Sequence, residues 1–227
     1  MRMRRKHNLD ERLEAVSDLI IERTIDDLNM KTSVDKKDYI DFKEVFGNDN
    51  PVQLEIGCGK GRFIASLAKS RPNVNFIAIE MLSNVIVEAC ERAKKEGLQN
   101  VRFMILRAEC LQSYFPPHSV SRIYINFPTP LPQKGYEKQR LTNKKFLEIY
   151  KDILAKDGEI YHKTDNMGMF EYSICELSQN GFALKNVTLD LHHCDCKDNI
   201  MTEHEHKYTE MDMPIYKLEA YLPQGAK

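Results

Sequence analysis

The stretch LEIGCGKG, residues 54–61, places three glycines at alternate positions directly after an apolar run. Val52 to Ile56, in which apolar residues alternate with Gln53 and Glu55, predicts a strand, and residues 62–69 have the pattern of the helix that follows. Glycine permits the positive φ angles of a tight turn and lets a ligand approach the backbone closely. The stretch therefore predicts a strand, a ligand-binding turn and a helix, which together form the first unit of an α/β fold.

Downstream of this turn, predicted strands and helices continue to alternate. The predicted strands cover residues 75–80, 101–106, 122–126, 159–162, 184–191 and 215–221. The predicted helices cover residues 84–95, 143–155 and 168–179. This alternation predicts a Rossmann-like α/β fold with a mostly parallel seven-stranded sheet, helices on both faces and an antiparallel C-terminal hairpin at one edge.

Apolar residues near the N-terminus recur at the spacing of an amphipathic helix within residues 9–28: Leu9, Leu13, Val16 and Ile20. With 227 residues, the chain is long enough for one α/β domain and too short for two domains with a linker. We therefore predict a basic N-terminal segment whose helix packs on the core, residues 1–49, followed by the ligand-binding domain, residues 50–227.

The composition indicates a soluble protein of the cytoplasm. The longest apolar runs span a few residues, far below the roughly 20 that a membrane helix needs. The basic start, residues 1–6, is not followed by the apolar segment or cleavage site of a secretory signal. The six cysteines show no paired framework, which favours reduced thiols.

A formal net charge of −1 gives no overall sign of a polyanion-binding protein, so a nucleic acid would have to be held by local patches. The N-terminal basic patch consists of Arg2, Arg4, Arg5 and Lys6. The loop basic patch consists of Lys134, Lys138, Arg140, Lys144 and Lys145. Because a run of charges is often only a solvated face, neither patch identifies a partner by itself.

The glycine spacing and two glutamates favour S-adenosylmethionine over NAD as the ligand. The spacing is G-x-G-x-G, whereas the dinucleotide fingerprint is G-x-G-x-x-G. Glu55 precedes the first glycine, and Glu80 ends the second strand, where a carboxylate can accept the hydroxyls of a ribose. The predicted cofactor contacts are Glu55, Gly57, Gly59, Gly61, Glu80 and, at the end of the fourth strand, Asn126.

A loop rich in proline and charge, residues 127–140, follows the fourth strand. Its three alternating prolines stiffen the backbone, which suits a surface that presents groups to a substrate. Asp165 ends the fifth strand at the same edge of the sheet, where ligands of α/β sheets bind. Asp165 is therefore a candidate to contact a base, and the alternative is that it caps the following helix.

Taken together, these segments resemble the bacterial tRNA (guanine-N(7)-)-methyltransferase family of class I S-adenosylmethionine-dependent methyltransferases. The resemblance covers residues 50–221. Its motifs are LEIGCGKGRFI (54–64), IAIE (77–80), YINF (124–127), EKQRLT (137–142), HKTDNMGMFEYS (162–173), IMTEHEHKY (200–208) and PIYKLEA (214–220). The resemblance implies that the chain transfers a methyl group from S-adenosylmethionine to a guanine of the tRNA variable loop.

The resemblance also implies roles for individual residues. By position, Glu55, Gly57, Gly59 and Glu80 match the family's cofactor contacts. The guanine and RNA contacts that it implies are Lys134, Lys138, Arg140, Asp165, Thr202, Glu203, His204 and Glu205. The loop basic patch then falls on the segment that faces RNA in the family.

This chain departs from the family at several positions, among them Gly135 and Tyr136, which replace an Arg-His pair. Thr129 stands where the family has an aspartate taken as catalytic, Gln133 replaces a lysine, and Arg107 replaces an aspartate near the adenine of the cofactor. Guanine N(7) carries an unprotonated lone pair at neutral pH, so the reaction needs in-line placement more than a general base. Thr129 therefore remains the candidate at the catalytic position, Arg107 a candidate cofactor contact and Gln133 a candidate substrate contact.

Other interpretations of the sequence stay open. The chain is alternatively a divergent methyltransferase with a changed substrate, or a noncatalytic RNA-binding paralogue. A cluster of usual zinc ligands is present at His192, His193, Cys194, Cys196, His204 and His206. Its Cys-x-Cys spacing is tighter than usual, and we expect no metal. The sequence does not distinguish a monomer from a homodimer.

Overall fold

The computed structural model describes residues 5–23, 36–194 and 199–224, and these form one seven-stranded sheet. The strands are β1 (Val52–Ile56), β2 (Asn75–Glu80), β3 (Val101–Ile105), β4 (Val120–Asn126), β5 (Leu154–Thr164), β6 (Ala183–Thr188) and β7 (Tyr216–Tyr221). Their order is β3-β2-β1-β4-β5-β7-β6. β7 runs antiparallel to β5 and β6, and the remaining pairs are parallel. The predicted fold class is confirmed.

Helices cover both faces of this sheet. Within the described residues they are α1 (Leu9–Glu14), α2 (Phe42–Phe46), α3 (Arg62–Ser70), α4 (Ser83–Lys95), α5 (Leu111–Tyr114), α6 (Lys144–Ile153), α7 (Met167–Gln179) and α8 (Glu203–Thr209). Apolar side chains of α3 and α4 form one core with β2 and β3. Those of α5, α6 and α7 form a second core against β1, β4 and β5.

The strand order reverses between β1 and β4, which are neighbours although two strands separate them in the chain. In open α/β sheets a crevice forms at such a point, outside the carboxyl ends of the strands. Glu55 lies near the end of β1, and Asn126 ends β4. The topology therefore brings these two predicted cofactor contacts to the same crevice.

The largest differences between predicted and observed bounds are at the N-terminal helix and at β5. The helix predicted within residues 9–28 ends at Glu14, because the chain then turns and Ile20 pairs with Phe103 of β3. Residues 24–28 lie outside the described part. β5 begins five residues earlier than predicted, at Leu154, which pairs with Val120 before the register shifts.

The N-terminal segment packs on α4 through charged side chains. Arg12 donates to both carboxylate oxygens of Glu91 at 2.6 and 2.7 Å. The Lys94 ammonium donates to the Ala15 carbonyl at 2.7 Å, and Lys6 pairs with Glu88. Of the N-terminal basic patch, Arg2 and Arg4 lie outside the described residues. The division of the chain at residue 49 stays a prediction.

The cysteines only partly follow the expectation from the sequence. Cys58, Cys90, Cys110 and Cys175 are reduced. Cys194 is disulfide-bonded, so the expectation of reduced thiols is wrong for that residue. Cysteine spacing does not reveal which side chains an irregular segment brings together.

No helix in the described residues is long and apolar enough to cross a membrane.

The glycine turn is packed most tightly at Gly61, where α3 begins. Gly57, Gly59 and Gly61 all have positive φ angles, of 76°, 56° and 73°. A Cβ atom on Gly61 would lie 2.5 Å from Cβ and 2.8 Å from Cα of Ala89 in α4, whereas one on Gly59 would meet nothing within 4 Å. Gly61 therefore sets how closely α3 approaches α4.

We predict that Gly61→Ala destabilises the protein more than Gly59→Ala. Both substitutions force alanine into the left-handed region, at a cost of about 1–2 kcal/mol. Gly61→Ala adds overpacking against Ala89, which costs roughly 1–3 kcal/mol more. Urea unfolding of the two variants, without added ligand, measures the difference. Equal free energies of unfolding would contradict the close packing of Gly61.

Candidate active site

A cavity of about 420 Å³ lies at the carboxyl ends of β1 and β4. Three segments line it: the glycine turn with the start of α3, the ends of β1 and β4, and residues 202–204 at the start of α8. Among the predicted cofactor contacts, those in the lining are Glu55, Gly57, Gly59, Gly61 and Asn126. Among the predicted substrate contacts, those in the lining are Thr202, Glu203 and His204. Residues predicted for two ligands thus share one cavity.

Glu55 is the buried charged group of this cavity. Its Oε1 accepts a hydrogen bond from Asn126 Nδ2 at 3.1 Å. Glu55 Oε2 and Asn126 Oδ1 are both buried and have no hydrogen-bond partner among the described residues. Buried polar atoms are nearly always hydrogen-bonded in native proteins, so two such acceptors beside a cavity fit a ligand that brings donors. The ammonium of a bound S-adenosylmethionine would supply them.

Burial also changes the acidity of Glu55. Loss of solvent raises the pKa of its carboxyl group to about 7, although the Asn126 hydrogen bond and the positive charge of Lys163 act in the opposite direction. A cation bound in the cavity favours the ionised form. The charge state of Glu55 is therefore set by what occupies the cavity.

Glu80 and Arg107 lie outside the lining of the cavity. Glu80 ends β2, and its Oε1 accepts from the backbone N–H of Leu82 at 3.1 Å. Arg107 follows β3 with its side chain 45% exposed, 3.5 Å from Glu109. Their assignments as cofactor contacts stay predictions.

The proline-rich loop has a constrained backbone. Phe127 and Leu131 have positive φ angles of 49° and 44°, which are uncommon for residues other than glycine and concentrate at functional sites. The Phe127 N–H donates to the Lys163 carbonyl at 2.8 Å, which ties the loop to β5. Thr129 and Gln133 are exposed on the loop. Neither lies in the cavity lining.

Arg140 uses its guanidinium to hold this loop. Its Nε and a terminal nitrogen donate to the Leu131 carbonyl at 3.2 and 3.0 Å. The guanidinium also lies 4.3 Å from the centre of the Tyr172 ring. By contrast, the neighbouring Lys134 and Lys138 are exposed. The prediction of an RNA contact at Arg140 therefore competes with a structural use of the same donors.

An aromatic group borders the cavity beside Asp165. The His204 ring lies 4.7 Å from the Phe127 ring and 4.5 Å from the Tyr208 ring, measured between centroids. His204 Nε2 is 3.3 Å from Asp165 Oδ1. The predicted base contact Asp165 is thus next to the predicted contact His204. Asn166, and not Asp165, caps α7 by accepting from the Met169 N–H at 2.8 Å.

The structure adds residues that the sequence reasoning missed. Phe127 and Arg62 line the cavity, and Arg62 contacts His206 of α8 at 2.8 Å. Lys163 is completely buried and pairs with Glu205. Lys163 stands between His162 and Thr164, so no pattern in the sequence marks it as buried. Glu205 itself does not line the cavity.

The possible zinc ligands do not come together in the described part of the chain. No group of three or more histidine, cysteine, aspartate or glutamate residues there is arranged to hold a metal ion. Cys196 lies outside the described residues. The expectation of no metal stays a prediction.

Comparison with known proteins gives consistent results. Residues 49–218 match the model of a family described as putative methyltransferases. The chain is 41% identical to the tRNA (guanine-N(7)-)-methyltransferase of Bacillus subtilis (strain 168), over 96% of this chain and 98% of that protein. It is 48% identical to the enzyme of the same name from Geobacillus kaustophilus (strain HTA426), over 80% of this chain and 84% of that protein.

Among solved structures, the fold is similar to that of a SAM-dependent methyltransferase from Aquifex aeolicus. The TM-score is 0.53 at 14% sequence identity, and the match covers 95% of this chain and 98% of that chain. At this identity the likeness concerns the fold alone.

We predict that Glu55→Gln stabilises the ligand-free protein at alkaline pH. The pKa of Glu55 is raised from 4.5 to about 7, so the folded chain retains a proton that the unfolded chain has released between these values. The stability contributed by this group is complete below pH 4.5 and is lost as the pH rises through 7. At pH 8 the buried carboxylate costs about 3 kcal/mol, which glutamine avoids.

Urea unfolding at pH 5 and pH 8 measures this effect. The stability gain of Glu55→Gln should be large at pH 8 and small at pH 5. Glu171→Gln, at an exposed position of α7, is the control for loss of one charge. A gain that is equal at both pH values would argue against a carboxyl group that titrates near neutrality.

Proposed function

Because the chain belongs to the tRNA (guanine-N(7)-)-methyltransferase family, we propose that it transfers a methyl group from S-adenosylmethionine to N(7) of a guanine in the tRNA variable loop. The observation that carries the proposal is the shared cavity. One wall offers the unpartnered oxygens of Glu55 and Asn126, and another wall is the start of α8. The family is S-adenosylmethionine-dependent, and the shared cavity supports a site in which the cofactor meets the RNA.

The cofactor side is built to bind and orient. Bound S-adenosylmethionine supplies the methyl group on its sulfonium. Glu55 and Asn126 would accept from its ammonium, and the glycine turn leaves the backbone accessible beside them. Glu80, at the end of the adjacent strand β2, is assigned to the ribose hydroxyls.

The guanine side needs to place a base, and it does not need a strong general base. N(7) has an in-plane lone pair that is unprotonated at neutral pH, so alignment with the methyl group is the main requirement. The Phe127 and His204 rings offer a surface on which a base can stack. Asp165, beside His204, can accept hydrogen bonds from the N–H groups of guanine.

The exposed cations of the loop basic patch are assigned to the tRNA phosphates. Lys134, Lys138, Lys144 and Lys145 are all exposed near the proline-rich loop. Phosphate contacts of this kind position an RNA without reading its sequence. As a tRNA-modifying enzyme, the protein would act in the cytoplasm.

We predict that the wild-type protein forms N(7)-methylguanosine in unmodified tRNA and that Thr129→Asp forms it faster. An aspartate accepts charge-assisted hydrogen bonds, which are roughly twice as strong as neutral ones, so the gain should be about tenfold in kcat/KM. Transfer of a labelled methyl group, followed by mapping of the modified nucleotide, gives both results. The absence of N(7)-methylguanosine with both proteins would reject the proposed function, and methylation at another atom would favour a changed substrate.

We further predict that Arg140→Lys and Lys138→Ala have different effects. Lysine keeps the charge of Arg140 but cannot make its two hydrogen bonds to Leu131 and its stacking on Tyr172, so kcat should fall. Lys138→Ala removes an exposed cation, so the salt dependence of tRNA binding should decrease by about one unit of slope with little change in kcat. Binding titrations between low and high salt, combined with steady-state kinetics, separate these effects. Normal kcat in Arg140→Lys would show that Arg140 acts only through its charge.

A further inference from the structure

Lys163 and Glu205 form an ion pair that is completely buried. The Lys163 ammonium donates to Glu205 Oε2 at 2.7 Å, to the Ile200 carbonyl at 2.9 Å and to Asn199 Oδ1 at 3.1 Å. All three of its protons are therefore used. Glu205 Oε1 accepts from Asn199 Nδ2 at 2.5 Å, so both oxygens of this carboxylate face protein groups.

This pair connects α8 with the cofactor wall, which is the side of the cavity formed by Glu55, Asn126 and the glycine turn. Lys163 of β5 is the register partner of Asn126 of β4, and Asn126 donates to Glu55. A row of polar side chains thus runs from Glu55 through Asn126 and Lys163 to Glu205. Burial lowers the pKa of the Lys163 ammonium, while Glu205 and Glu55 both favour its charged form.

Helix α8, which Lys163 contacts through Glu205, is too short to be stable alone. α8 has seven residues, from Glu203 to Thr209, and isolated helices of fewer than roughly 12 residues are marginal in water. Glu205 also completes the capping box with Thr202 at the start of the helix. The ion pair of Arg92 with Glu203 of α8 is partly exposed, and such pairs contribute little. His192 Nε2 approaches the same carboxylate as Lys163, at 3.3 Å from Glu205 Oε1.

Thr202, Glu203 and His204 reach the cavity from this helix start, whereas Glu205 points inward. We propose that Lys163 is a positioning residue that fixes α8 over the cavity through Glu205, and that Glu205 acts through this contact and does not bind RNA. This inference rests on the proposed function, because it concerns the RNA side of the same site. It differs from the role that the family resemblance implies for Glu205.

The test uses Glu205→Gln and Lys163→Met in the full chain. Glutamine preserves the capping box but removes the charge, and methionine removes the ammonium while keeping an unbranched side chain. Lys217→Met is the matched control, because Lys217 is the register partner of Lys163 on β7, is also buried and pairs with Glu219 at 2.6 Å. Lys217 has no role in the proposed site.

Three measurements are made on each protein: hydrogen exchange of residues 199–213, cofactor affinity by calorimetry, and kcat and KM with tRNA. In Glu205→Gln and Lys163→Met, the amides of α8 should exchange faster than in wild type, and kcat/KM should fall about 100-fold. Cofactor affinity of Glu205→Gln should stay within about threefold of wild type. Lys217→Met should keep the wild-type exchange of α8 and the wild-type kcat/KM.

Two outcomes would overturn the inference. Loss of turnover in Glu205→Gln with unchanged exchange of α8 would mean that Glu205 contacts the substrate directly. Effects in Lys217→Met equal to those in Lys163→Met would mean that any buried lysine of this sheet only supports folding. If wild type does not methylate tRNA, the proposed function fails, whereas the exchange data still decide whether Lys163 positions α8.

Discussion

The hydrogen bond between Asn126 and Glu55 joins β4 to β1 where the sheet reverses its strand order. Both side chains lie beside the cavity, and each keeps a buried oxygen without a partner among the described residues. A buried acceptor of this kind costs free energy until a donor reaches it. The two unpartnered oxygens therefore lower the stability of the ligand-free fold, and a ligand that brings an ammonium group removes this free-energy cost. The glycine turn, Lys163 and α8 are all arranged around this pair.

The fold could be predicted from the sequence because its signals are local. The apolar run before the glycine turn and the alternation after it specify β1 to β4 and the helices between them. The misplaced boundaries arose where a distant strand decides the structure. Leu154 joins β5 because Val120 is available as its partner, and Ile20 leaves the helical path because Phe103 accepts it. Neither partner is visible in a window of ten or fifteen residues.

The site was predicted less completely, since motifs specify positions but not the direction of side chains. Arg140 and Glu205 both lie in motifs that the family resemblance associates with RNA. In the structure, Arg140 holds the Leu131 carbonyl and Glu205 holds Lys163. Lys163 precedes Glu205 by 42 residues, and no periodicity links them. The cavity itself was predictable, because Glu55 and the glycines belong to one continuous stretch.

Gly61 and Ala89 illustrate a further property of the cofactor wall. The space beside Gly61 is already filled by Ala89, since a Cβ on Gly61 would lie 2.5 Å from the Cβ of Ala89. Gly61 cannot accept a side chain unless Ala89 and its helix move away. The effect of a substitution at Gly61 therefore depends on the side chain at position 89. In the design of new variants, the spacing of α3 and α4 has to be treated as fixed.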